Sequence, residues 1–337
     1  MRFGAVPLDQ ALGAVLAHAV PLAVGKLKKG RVLGSDDLVR LAEAGLSEVI
    51  VARLGPGDVP EDAAALRLAR AVVPDPGAAG LRLEAPFTGR VNIRATGPGV
   101  LALKPEAIAA LNAVDPMITL ATLPPWQRVE AGMMVGTVKI IAYGVPDTAL
   151  QAACQAGAAS MQRLAPVVDR VDLIVTETAP GVAARDDKGV RAVWARVARL
   201  GMAEGETQIV AHRATAVAAA IGASSAGMVM VLTGSATSDI ADVMPAGLVA
   251  AGGKVIRFGM PVDPGNLLVL GAHGGRPVIG LPGCARSPAL NGADWVLERV
   301  ACGLALTGSE IAAMGVGGLL KEIPSRPQPR ARPPRAD

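Results

Sequence analysis

From Val171 onward the chain repeats one pattern, a short apolar run followed by a stretch with helical spacing. The apolar runs are Val171–Thr176, Thr207–Val210, Met228–Leu232, Lys254–Arg257 and Pro277–Leu281. Between and after them lie the helical stretches Gly189–Leu200, Ala214–Ala223, Pro245–Ala251 and Pro288–Cys302. Strands so short and apolar belong in a sheet covered on both sides, so the pattern predicts an α/β fold: a parallel-type sheet with helices on both faces over residues 168–306. In such sheets ligands sit beyond the carboxyl ends of the strands. The segments just after each strand are therefore the candidate functional loops.

The preceding residues have a different character. A small mixed α/β segment is expected over 1–79, with a helix opening at Ser35-Asp36-Asp37, a strand over Leu46–Leu54 and a second helix over Pro60–Val72. Residues 80–145 read as a β-rich module, because the short runs Leu81–Leu83, Arg90–Ile93, Gly99–Leu103, Ile118–Thr122 and Thr137–Ile141 are separated by Pro and Gly. Residues 146–167, rich in Ala and Gln, are expected to form a helical connector. The C-terminal extension, 307–337, ends in a Pro/Arg-rich stretch from Pro324 that cannot build a core and is expected to be disordered.

Composition narrows the function classes. Of 337 residues, 51% are hydrophobic but 2% aromatic, so the usual stacking platforms for single-stranded nucleic acid are scarce. The net charge of +4 is concentrated in the tail, where Arg326, Arg330, Arg332 and Arg335 face Asp337 alone. The body is thus nearly neutral and carries no electrostatic footprint for nucleic acid. Cys154, Cys284 and Cys302 are widely spaced and form no paired metal motif, which suits a reducing compartment. Ala11–Gly25 is apolar enough to resemble a signal core, but Asp9 precedes it and His18 and Pro21 interrupt it. No run approaches the roughly 18 apolar residues of a membrane helix. The expectation is a cytoplasmic protein with no nucleic-acid or membrane partner.

Two loops carry the chemistry. After Met228–Leu232 comes Thr233-Gly234-Ser235-Ala236-Thr237-Ser238-Asp239-Ile240-Ala241-Asp242, with Pro245 expected to open a helix. Gly234 permits a sharp turn, the four hydroxyls can donate to an anion, and a helix N-terminus favours phosphate. Asp239 and Asp242 would repel a bare phosphate, so they signal either a reacting centre, such as a bridging Mg²⁺, or simple helix capping. The second loop, Pro282-Gly283-Cys284-Ala285-Arg286-Ser287, follows Pro277–Leu281. Arg286 could fork a phosphate with help from Ser287, whereas Cys284 reads as a small packed thiol. Glu177, Asp186, Asp187 and Lys188, ahead of a helix, are either first-turn residues or ligands. Pro261, Pro264 and Gly265 form either a rigid turn or a stiff cleft wall. His18, His212 and His273 have no metal spacing, and neither phosphate-loop nor dinucleotide fingerprints occur.

These loops resemble the molybdopterin-binding domain shared by molybdopterin adenylyltransferases and molybdopterin molybdenumtransferases. Thr233–Pro245 is similar to the family's glycine-rich loop, with Asp242 at its acidic position. Met260–Gly265 resembles a Lys/Met-Pro-x-x-Pro-Gly segment, Leu281–Ala285 a Leu-Pro-Gly-Asn-Pro loop, and Ala11–His18 the molybdenumtransferase opening. The resemblance extends to the N-terminal portion of proteins that fuse this region to a nucleotidyltransferase-like domain. It implies molybdopterin or adenylyl-molybdopterin as ligand, held by Thr233, Gly234, Ser235, Thr237, Ser238, Pro261, Pro264, Gly265, Pro282, Gly283, Arg286 and Ser287. It further implies catalytic Asp242 and Asp239, Mg²⁺ on Asp242 and Asp187, molybdate as second substrate, and a homo-oligomer. The family's Asp-Gly-Tyr/Phe-Ala segment is missing at Lys26–Leu33, and Cys284-Ala285 stands for Asn-Pro. The alternative implied by these departures is a non-catalytic module that delivers cofactor to a nucleotidyltransferase or a molybdoenzyme.

Overall fold

The computed structural model describes residues 1–185 and 187–320, so Asp186 and the Pro/Arg-rich tail lie outside the described residues. The chain divides into two compact units. One comprises Met1–Gly97 and Leu101–Leu164; the other comprises Pro98–Val100 and the chain from Ala165 onward.

In the first unit, the helix Glu61–Val72 and the helix Asp147–Ala156 share one apolar core with the short strands of the β-rich module. Ala65, Leu68 and Val72 meet Val91, Ile93, Val138 and Leu150 there, all fully buried. The sequence boundaries at 79/80 and 145/146 therefore run through a single core. The reason is chemical. An Ala/Leu-faced helix has too little apolar surface to fold alone and must lie on a sheet. The expected connector is also only half helical, because Met161–Leu164 forms a strand beside Gly99–Leu103. A smaller core near the N-terminus gathers Leu16, Leu33, Leu41 and Val51.

The second unit is the expected α/β layer structure. Its elements are β1 (Arg170–Glu177), α1 (Lys188–Arg199), β2 (Ala203–Ala211), α2 (Ala214–Ala223), β3 (Met228–Leu232), α3 (Val243–Ala250), β4 (Lys254–Phe258), β5 (Val269–His273), β6 (Arg276–Leu281) and α4 (Gly292–Ala301). The sheet order is β2-β1-β3-β6-β5-β4. Strands β2, β1, β3 and β6 are mutually parallel, while β5 runs antiparallel to both β6 and β4. Side chains alternate across the sheet, as strand geometry requires. Leu173, Val175, Met230 and Ile279 face α1 and α4, and Ile174, Val229, Val231 and Val278 face α2 and α3. Both faces are thus covered.

The expected parallel sheet is in fact mixed. Strand β5 was not foreseen, because Val269–His273 is short and interrupted by Gly271. Its hairpin partner follows after Gly274-Gly275, whose φ angles of +56° and +78° suit glycine and fit a two-residue turn. Strand β4 consequently points the same way as β6, and the carboxyl ends of β1, β2, β3, β4 and β6 share one edge. Among the described residues no helix is long and apolar enough to cross a membrane.

Gly275→Val places a β-branched residue at positive φ in this turn. It should lower stability by about 1–2 kcal/mol, read as a lower urea midpoint with an unchanged slope.

Candidate functional site

The carboxyl edge is organised by the adjacency of β3 and β6, which pair directly. Their following loops, Thr233–Asp242 and Pro282–Ser287, are therefore neighbours, and side chains tie them together. Arg286 donates from Nη2 to the Thr233 carbonyl at 3.1 Å and pairs through Nη1 with the Asp187 carboxylate at 3.3 Å. One half-buried guanidinium thus joins the loops after β1, β3 and β6. The phosphate fork expected of Arg286 is directed at protein groups, while Ser287 is exposed.

Gly234 is required by contact rather than by φ. A Cβ there would sit 2.6 Å from the Thr176 carbonyl oxygen, far inside van der Waals contact. Its N–H donates to Thr176 Oγ1 at 2.8 Å, which pins the turn to the end of β1. Thr233 and Thr237 are buried, whereas Ser235, Ser238 and Asp239 are exposed. The helix that follows starts at Val243 instead of Pro245, with Asp242 as its cap. Pro245 remains compatible because its missing N–H falls among the first-turn amides that have no intrahelical partner.

The acids serve the backbone. Asp242 accepts the Ser238 N–H on Oδ2 at 2.9 Å and the Val243 N–H on Oδ1 at 2.7 Å. These bonds, the Ser238 one foremost, hold its carboxyl below the usual range. Asp239 Oδ1 accepts from the Ala241 N–H at 2.8 Å. Asp187 caps α1 by accepting the Val190 N–H at 2.6 Å, and its other oxygen faces Arg286. Asp242 and Asp187 thus cap two different helices. Among the described residues no three His, Cys, Asp or Glu groups converge as a metal site.

The segment Met260–Gly265 lies beyond β4, two strands away from β6. Pro264 and Gly265 are buried, and the Pro264 carbonyl accepts the Gly292 N–H at 2.7 Å. A Cβ on Gly265 would meet that same nitrogen at 2.7 Å. These two residues therefore seat the start of α4, and only Pro261 of the three expected wall residues is exposed.

Two residues that carry this edge were not singled out from sequence. Arg196, 5% exposed on α1, donates through Nε to Asp294. Its Nη1 donates to the Ala192 and Ala285 carbonyls, and its Nη2 to those of Ser287 and Ala289. All five guanidinium protons are used, and the loop after β6 is moulded around them. The available signal was an Arg placed among Val190, Val193, Trp194 and Val197, the apolar stripe of α1. The second is His212, at the end of β2, whose Nδ1 lies 2.8 Å from Thr176 Oγ1. Spacing in sequence could not reveal it, because its partner is on another strand.

Fold and edge define a mixed-sheet α/β domain whose loops after β3 and β6 lie side by side at its carboxyl end. A family described as a domain of unknown function (DUF8806) matches residues 5–53. A comparison with curated proteins returns no match. Among solved structures, the molybdopterin biosynthesis MoeA protein from Pyrococcus horikosii is 15% identical with a TM-score of 0.32, over 89% of this chain and 75% of that one. A molybdenum cofactor biosynthesis protein from Pyrococcus furiosus is 12% identical with a TM-score of 0.22, over 93% of this chain and 65% of that one. Likenesses at these scores do not place the chain in a family.

Arg196→Met strips the buried Asp294 and four carbonyls of their donor and should cost about 3–5 kcal/mol, read by urea unfolding. Asp242 has a lowered native pKa, so its stabilisation is full above the ordinary carboxylate range and is lost as pH falls through the lowered value. Asp242→Ala should therefore cost about 0.5–2 kcal/mol near neutrality. The two proteins should converge in stability as the solution becomes strongly acidic.

Proposed function

We propose that the α/β unit binds molybdopterin and that the protein serves molybdenum-cofactor biosynthesis. One observation carries this reading: the two loops with family-like motifs, Thr233–Pro245 and Leu281–Ser287, emerge side by side from paired strands and are joined through Arg286. The pterin phosphate would lie against the Gly234 turn, where the exposed Ser235 and Ser238 can donate to it. The turn Pro282–Gly283 would close the opposite side.

The capping roles of the acids favour binding over turnover. Both oxygens of Asp242 and both of Asp187 have N–H or guanidinium partners. Asp187 is moreover paired with the Arg286 cation and caps a different helix from Asp242, and among the described residues no three His, Cys, Asp or Glu groups converge as a metal site. These residues do not fit the Mg²⁺ site implied by the resemblance. Molybdate insertion through it is therefore the weaker form of the proposal. Presentation of the cofactor to a nucleotidyltransferase or apoenzyme is the stronger.

The test is to purify the full chain from a host that makes molybdopterin, oxidise it and look for released fluorescent pterin. Wild type and Asp242→Asn should both release it, and Gly234→Val should not, because its side chain would collide with the Thr176 carbonyl. Absence of pterin from wild type, together with a flat calorimetric titration against molybdopterin, would refute the assignment. Molybdate insertion by wild type that Asp242→Asn abolishes would restore the catalytic form.

A further inference from the structure

His212 is the one histidine at the carboxyl edge, and its surroundings fix both its proton and its direction of use. Thr176, 1% exposed at the end of β1, accepts the Gly234 N–H on Oγ1. That hydroxyl then has its own proton to place, and a buried hydroxyl without an acceptor is destabilising. Nδ1 of His212, 2.8 Å away, is the acceptor in reach. Accepting there puts the ring proton on Nε2. With that tautomer, a chain of donors runs from the Gly234 amide through Thr176 to the His212 ring.

The half-buried ring lines a depression of about 300 Å³ with Glu177 and Arg213, at the ends of β1 and β2. Glu177 is already engaged, since its Oε2 accepts from the Gly181 N–H at 2.9 Å and the Ala183 N–H at 3.4 Å. Arg213 is exposed. The depression thus offers a cation and an N–H donor, and the carboxylate on its rim is held by the backbone. An oxyanion of phosphate size suits this set.

We infer that His212 is a ligand-binding residue of this edge, presenting Nε2–H beside Arg213 to a phosphoryl oxygen and linking that contact through Thr176 to the Gly234 turn. The inference deepens the molybdopterin reading and rests on it for the identity of the ligand, while its phosphate chemistry stands on the geometry. Binding at Nε2 strengthens the acceptor character required of Nδ1, so the Gly234 amide should sense occupancy across three residues.

The experiment uses the full chain with ¹⁵N-labelled backbone and histidine, titrated with inorganic phosphate against chloride at equal ionic strength. His212 resonances are assigned by their loss in His212→Gln. Expected are the Nε2–H tautomer in the free protein and saturable phosphate shifts at both Nε2 and the Gly234 amide. His212→Gln and Arg213→Gln should each raise the phosphate midpoint about tenfold, the equivalent of one charge-assisted hydrogen bond. Thr176→Ser should keep the linked Gly234 shift, and Thr176→Val, checked for folding by its melting curve, should lose it. A Nδ1–H tautomer in wild type, or no saturable shift at Nε2, overturns the inference. Pterin retention without phosphate shifts would remove His212 from the site and leave the molybdopterin reading intact. Phosphate shifts without pterin retention would support this inference and sink that reading.

Discussion

A guanidinium sealed inside the α/β unit is the constraint on which the carboxyl edge depends. Arg196 brings a permanent charge into an apolar layer between α1 and the sheet, and such a charge is tolerable only when paired and fully hydrogen-bonded. Asp294 supplies the counter-charge, and the carbonyls of Ala192, Ala285, Ser287 and Ala289 take the remaining protons. The backbone from 285 to 289 therefore has little freedom to move. Its rigidity fixes Arg286, which in turn fixes Thr233 and Asp187. Three loops are positioned by two arginines, one buried and one half-buried.

The electrostatics of the edge follow from this arrangement. Asp242 and Glu177 accept backbone N–H groups, and Asp187 caps α1 while pairing with Arg286. The acids consequently shape the loops and cap the helices, and the charge of Asp187 is offset by Arg286. What faces outward is a set of hydroxyls, Asp239, a histidine and Arg213, with Glu177 on the rim of the depression.

Much of the architecture was legible because local signals and burial agreed. Met228–Leu232 is uniformly apolar and lies fully buried between two helix layers. Ala214–Ala223 is framed by good helix formers and appears with those bounds. Legibility failed where tertiary pairing decided the outcome. Val269–His273 became a strand only because Gly274-Gly275 folds it back on β6. Val243 and Met244 entered a helix because Asp242 caps it three residues before the proline. The adjacency of the Gly234 and Gly283 turns could be anticipated from strand alternation, although Pro264 and Gly265 proved to be seats for α4. Arg196 and His212 act through partners on other elements, at 98 and 36 residues' separation, beyond the reach of any local pattern.

The Gly274-Gly275 hairpin also bears on the order of assembly. Each parallel pairing in this sheet must close a loop that includes a helix, and the entropic cost of closure precedes any reward from contacts. The β5–β6 pairing closes over two residues, so it is the cheapest nucleus the sheet possesses. It lies late in the chain, and the apolar strands β1, β2 and β3 emerge from synthesis before it. Those strands can pair with one another and take cover from α1 and α2, while the β3–β6 seam waits for the hairpin.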